Sequence, residues 1–145
     1  MNVKTDTKEK FHVITICETE IAANMTAELE RSLKIYLKNN VKNVILNCED
    51  IQKMDDAAAE ALVKIQQVFY EHNASFVVCG LQPAVEQALD ASALLELMNV
   101  TPTETEAWDI IQMEEIEREL MDEDNPQFNQ GHEWRVYSYT NNGRP

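Results

Sequence analysis

The sequence predicts an α/β fold, with a parallel or mixed sheet whose strands are joined by crossover helices. Three observations carry this expectation. Apolar runs rich in β-branched residues alternate with segments of helical period. The connections between them are short. The run Val44-Ile45-Leu46 is almost unbroken, as expected of a strand covered on both faces.

The elements follow in order. Phe11-His12-Val13-Ile14-Thr15-Ile16-Cys17 reads as a strand, and Glu18 to Asn24 as a second short strand and a turn. From Met25 the period changes. Met25, Leu29, Leu33, Tyr36 and Leu37 recur at three- and four-residue spacing, on one face of a helix. Asn24 suits its N-cap, and Asn39-Asn40 its end, because Asn tolerates the left-handed conformation. Val41 to Cys48 forms the next strand. A helix from Ala57 to about His72 follows, with the stripe Ala58, Leu62, Ile65, Val68 and Phe69, capped by Asp55 or Asp56. Ser75 to Cys79 is a strand and Gly80 a turn. Pro83 opens a helix, where its missing N–H costs nothing. A short strand lies within Leu94 to Val100, and Thr103 caps a last helix through Trp108, Ile111 and Leu120.

Length and composition bound the function. A chain of 145 residues makes one domain, here expected over residues 8–123, with an extension over residues 124–145. That extension carries Phe128, Trp134, Val136, Tyr137 and Tyr139, more aromatic content than disorder usually shows. It either packs as an extra strand or awaits a partner. No apolar run approaches the roughly 20 residues of a membrane helix, so no membrane insertion is expected. The polar residues Met1 to Lys10 lack a secretory signal, which points to the cytoplasm. Cys17, Cys48 and Cys79 sit in or beside apolar runs, without metal-ligand spacing, and read as buried thiols.

The formal net charge of −14 repels phosphate backbones and anionic membranes, so nucleic acid is not an expected partner. Acid crowds Glu104 to Asp124, either as a solvated helix face or as a docking surface for a basic partner. Enzyme activity is not expected. Asp55 and Asp56 are adjacent at a helix start and diverge in direction, with no His, Lys or Cys beside them in sequence. His12, His72 and His132 lie far from any motif, and no glycine-rich phosphate loop exists. No catalytic residue, metal ligand or cofactor is assigned.

Three segments carry a family resemblance. Val44-Ile45-Leu46-Asn47, then Ile51, then Met54-Asp55-Asp56-Ala57-Ala58, resembles the strand-turn-helix unit of the STAS domain, named for sulfate transporters and anti-sigma factor antagonists. In that family the helix opens with Asp-Ser-Ser/Thr-Gly. Ser75 to Val85 is similar to the family's next strand and its Pro-x-Val helix start. Asp90-Ala91-Ser92-Ala93-Leu94-Leu95 is similar to its Ser-Gly-Leu element. The resemblance covers roughly residues 8 to 112. It implies a mixed four- to five-stranded sheet with helices mainly on one face, and a protein-binding function. In anti-sigma factor antagonists the second hydroxyl of the motif is phosphorylated by a partner that is both serine kinase and anti-sigma factor. Added phosphate charge disrupts that contact.

The resemblance breaks at the switch itself. Aligned on Asp55, the phosphoacceptor position is Ala57, which has no hydroxyl, and the glycine is Ala58. The family's Gly-Glu-Leu-Asp stretch becomes Thr19-Glu20-Ile21-Ala22. The partner-binding residues implied are Glu20, Asn24, Met54, Asp55, Asp56, Ala57, Ala58 and Glu60. Asp55 and Asp56 are either a plain helix cap or, at Asp56, a fixed and incomplete substitute for phosphate charge. The partner implied is an anti-sigma factor of the serine-kinase type. The alternative is the ATPase of a lipid-transport ABC transporter, on which small STAS proteins also dock.

Overall fold

A computed structural model describes residues 1–121. The chain divides into two units, Met1–Ile111 and Gln112–Pro145. The aromatic extension expected over residues 124–145 lies outside the described residues.

The first unit is built on a five-stranded sheet of order β1-β2-β4-β6-β7. Its strands are β1 (Val3–Thr7), β2 (His12–Ile16), β4 (Val44–Asn47), β6 (Phe76–Cys79) and β7 (Val100–Thr101). β1 runs antiparallel to β2, and the other neighbours are parallel, so the sheet is mixed. A second, two-stranded sheet pairs β3 (Glu20–Ile21) with β5 (Lys53–Met54). The helices are α1 (Thr26–Lys34), α2 (Asp56–Glu71), α3 (Pro83–Ala91) and α4 (Glu104–Leu120).

Alternation along the strands sorts the core into two layers. Ile14, Ile16, Val44, Leu46, Phe76 and Val78 pack on the face shared with Leu29 and Leu33 of α1, Leu62 and Phe69 of α2, and Val85 and Leu89 of α3. The opposite face carries Phe11, Val13, Ile45, Val77 and Cys79, covered by Ala107 and Ile111 of α4. Three helices therefore take one face and the start of α4 takes the other. β4 and β6 are covered on both sides, as their unbroken apolar runs predicted.

The sheet begins earlier than residue 8. β1 is exposed along its whole length, so its sequence Val-Lys-Thr-Asp-Thr buries no face and leaves no apolar signature. Its charged residues also protect an edge strand from pairing with other chains. α1 differs from expectation at both ends. Asn24 lies inside a 3-10 turn, Ala23–Met25, and α1 starts one residue after Met25 without a side-chain cap. At the other end α1 tightens into a 3-10 turn, Ile35–Lys38, and Asn39 is extended rather than left-handed. Thr103 does cap α4, its Oγ1 accepting the Glu106 N–H at 3.3 Å and donating to the Glu106 carboxylate at 2.9 Å.

The left-handed residues end α2 and α3 instead. Asn73 has φ 59° and Ala93 has φ 62°. In each case the next residue's N–H reaches back five residues in the chain, Ala74 to Phe69 O and Leu94 to Leu89 O, both at 2.9 Å. Asn tolerates this conformation, but an alanine is strained by its Cβ. Ala93→Gly removes that strain at the expense of a more flexible unfolded chain. A net gain of about 0.5–1 kcal/mol is expected. Urea denaturation measures it, and no gain would contradict the strain. The glycine at the end of β6 is likewise placed by geometry. Gly80 has φ +75°, and a Cβ there would stand 3.1 Å from Asn47 Oδ1.

No helix among the described residues is long and apolar enough to cross a membrane.

Candidate functional site

The entrance of α2 is assembled by the small β3–β5 sheet. Glu20 lies opposite Lys53 and Ile21 opposite Met54, and the Asp55 N–H donates to Ile21 O at 3.0 Å. This ladder brings the turn at residues 22–25 beside the first turn of α2. Asp55 occupies the N-cap position in extended conformation, and its carbonyl accepts the first helical bond, from Ala59 N at 3.0 Å. Its carboxylate does not cap its own helix. Oδ2 instead accepts from the Ala23 N–H at 3.0 Å, across 32 residues of sequence. The expected cap is thus a bridge between two loops. A carboxylate–amide bond of this kind is stronger than a neutral one, so it fixes the two loops relative to each other.

The residues named from sequence separate into two groups. Asp56, Ala57, Glu60 and Asn24 are exposed, and Asp55 is half-buried. Asp56 has no hydrogen bond or ion pair among the described residues, and it stands in the first turn, where the helix dipole favours its charge. Glu20 is exposed, and its carboxylate lies 3.8 Å from Lys53 Nζ, a solvent-screened pair worth little stability. Met54 and Ala58, by contrast, are 7% and 0% exposed. Both belong to the main core, so they pack beneath the surface instead of presenting a contact. The α2 period explains Ala58, which heads the stripe continued by Leu62 and Ile65. The backbone N–H of Ala23 is the one participant that sequence reasoning missed. An amide common to nearly every residue carries no signal.

The chemistry available at this surface is limited. Among the described residues no group of three His, Cys, Asp or Glu side chains could hold a metal ion. His12 is buried and engaged, with Nε2 donating to Val41 O at 2.9 Å and Nδ1 accepting from Thr7 Oγ1 at 3.0 Å. That tautomer is set by the carbonyl, which can only accept. Cys48, the residue after β4, donates its N–H to the carbonyl of Cys79 on β6 at 2.9 Å; both are free thiols, packed in the two different core layers. Burial pushes both thiols up, Cys79 to about 12 with help from the charges of Glu104 and Glu49, so neither forms thiolate near neutral pH. A thiol reagent should label the partly exposed Cys17 in the native protein, while the buried Cys48 and Cys79 react only after denaturation. Labelling of the native protein at either buried position, read by peptide mass, would contradict this.

The sequence profile of the STAS domain family matches residues 2–107. The chain belongs to the STAS domain family. Solved structures with the same fold include an anti-sigma factor antagonist of Thermotoga maritima, described as putative, with a TM-score of 0.66 and 14% identity over 76% of this chain and 94% of that one. An anti-sigma factor antagonist of Mycobacterium paratuberculosis matches at TM-score 0.66 and 13% identity over 77% and 93% of the two chains. The phosphorylated form of the Bacillus cell fate determinant SpoIIAA matches at TM-score 0.55 and 16% identity over 76% and 99%. At these identities the likeness is one of fold. In this STAS domain Ala93, within Asp90 to Leu95, holds a left-handed conformation that glycine adopts most readily.

Proposed function

We propose that this STAS domain is a non-enzymatic regulator that binds a protein partner through the entrance of α2 and lacks the phosphorylation switch of anti-sigma factor antagonists. The observation that carries this reading is the exposure of Asp56 and Ala57 on a first helical turn already fixed to its neighbouring loop by the Asp55–Ala23 bond. A docking face needs side chains in solvent and a backbone that loses little freedom on binding. Both conditions are supported here.

The resemblance aligns Ala57 with the phosphoacceptor. Its methyl group cannot take phosphate, so the surface keeps one state. Asp56, one residue earlier, supplies a permanent single charge where a phosphate would bring roughly −1.5 to −2. The partner of this reading is an anti-sigma factor of the serine-kinase type.

Asp56→Arg tests the surface. Reversing an exposed charge at a contact should lower recovery of the cognate partner by about tenfold or more. The melting temperature should fall by only a few degrees, since Asp56 makes no side-chain bond among the described residues and the reversal costs about the helix-dipole contribution. Equal recovery by the native protein and the variant would remove this face from the interface. Recovery of an ABC transporter ATPase in place of a kinase would replace the partner.

A further inference from the structure

The geometry points to a second docking surface at the C-terminal end of α1, one that takes an acidic segment of a partner protein carrying a large apolar side chain. It does not rest on the reading of the α2 entrance. The Asp55–Ala23 bond marks the start of α1, and the second surface lies roughly 15 Å along the helix from it.

Lys34, Ile35 and Lys38 stand three, four and seven residues after Arg31, so the four share one face of α1 and the 3-10 turn that extends it. Together with Glu30 they line a shallow cleft of about 430 Å³. Ile35 is 61% exposed, the most exposed large hydrophobic side chain among the described residues. Around it, Arg31 and Lys38 have no anionic partner among the described residues, and Lys34 is paired with Glu30 at 2.8 Å. That hydrogen bond and the Lys34 charge hold the Glu30 carboxyl below its usual range, and the Lys64 charge from α2 adds to the effect. Three cations thus share a cleft with one carboxylate and an isoleucine in a protein of net charge −14, with the Lys64 charge close enough to act on Glu30.

Cations in a last helical turn complement the helix dipole, and that alone accounts for Arg31 and Lys34. It does not account for a large apolar side chain left in water at their centre. An exposed hydrophobic residue flanked by the unpaired cations Arg31 and Lys38 and by the Lys34–Glu30 pair has the arrangement of an interface, with an apolar centre and a polar, net positive rim. Charge complementarity sets the occupant as acidic, and Ile35 sets it as apolar at its centre. The cleft suits a few side chains of a protein segment rather than the extended backbone of a nucleic acid.

The test uses the full chain, isotopically labelled, and a short synthetic peptide with glutamates flanking leucines at helical spacing. A control peptide has lysine for each glutamate. The acidic peptide should shift the amide resonances of Arg31 to Lys38, more at low salt than at high. Ile35→Ser and the pair Arg31→Glu with Lys38→Glu should each weaken it by about tenfold. Asp56→Arg should leave it unchanged, which separates this surface from the α2 entrance. No shift at these residues, equal binding of the lysine peptide, or binding indifferent to Ile35→Ser would overturn the inference. So would sedimentation showing a dimer that Ile35→Ser dissolves, or binding of the same face to vesicles of anionic lipid.

Discussion

On the proposed function, Ala57→Ser should turn a chain with no hydroxyl at the acceptor position into one that an anti-sigma factor of the serine-kinase type can phosphorylate. The substitution adds one oxygen to an exposed methyl at the second position of α2 and costs about 0.5 kcal/mol of helix propensity at most. The fold should therefore be unchanged. Incubated with ATP and a kinase that phosphorylates an unmodified family member, the serine variant should gain one phosphate, mapped by mass spectrometry to residue 57. The native chain should gain none there. Local electrostatics act in both directions. The amino end of α2 favours an added anion, while the Asp56 carboxylate opposes it. Phosphorylation of Ala57→Ser should thus be slower than that of the double variant Asp56→Ser with Ala57→Ser, and partner binding should fall once either is modified. If neither variant accepts phosphate while the control protein does, Ala57 does not occupy the acceptor position.

How far such a site can be read without coordinates depends on the range of the interactions that build it. The strands β2, β4 and β6 announce themselves, because burying both faces requires Val44-Ile45-Leu46 and Phe76-Val77-Val78-Cys79 to be apolar throughout. The α2 stripe and Pro83 at the first position of α3 are equally plain, since period and ring geometry act within one turn. β1 is invisible because an exposed edge strand is free to use Lys4, Asp6 and threonines. β3 and β5 are two residues each, too short for any periodicity to develop. The capping role given to Asn24 fails for a related reason. The residues before α1 are drawn into a 3-10 turn and held by Asp55, so a distant carboxylate overrides a local preference. At the proposed site the start of α2 beside Asp55 and Asp56 was legible. That Met54 and Ala58 lie beneath it follows only once the core face of α2 is fixed.

The second large effect is on stability and lies at the far end of the same helix. Phe69 is 0% exposed, and its ring meets that of Phe76 on β6 with centroids 5.1 Å apart and planes tilted by 55°. Its carbonyl also accepts the Ala74 N–H that closes α2. Phe69→Ala removes the ring and leaves a cavity between helix and sheet, at a cost of about 3–5 kcal/mol. Small domains are stable by about 5–15 kcal/mol in all, so the variant should lose a large part of its stability, or unfold. Phe69→Leu keeps most of the volume and should cost much less. Urea denaturation of the three proteins measures this. A loss below about 1 kcal/mol for Phe69→Ala would mean that this end of α2 is not part of the shared core. The consequence for docking separates two kinds of coupling. Phe69 is about 20 Å from Asp56 along α2, at 1.5 Å per residue. If the Asp55–Ala23 bond fixes the entrance locally, Phe69→Ala should reduce partner binding only by the fraction of chains unfolded. Binding that falls further than the denaturation curve predicts would show that the entrance depends on the packing of the whole helix.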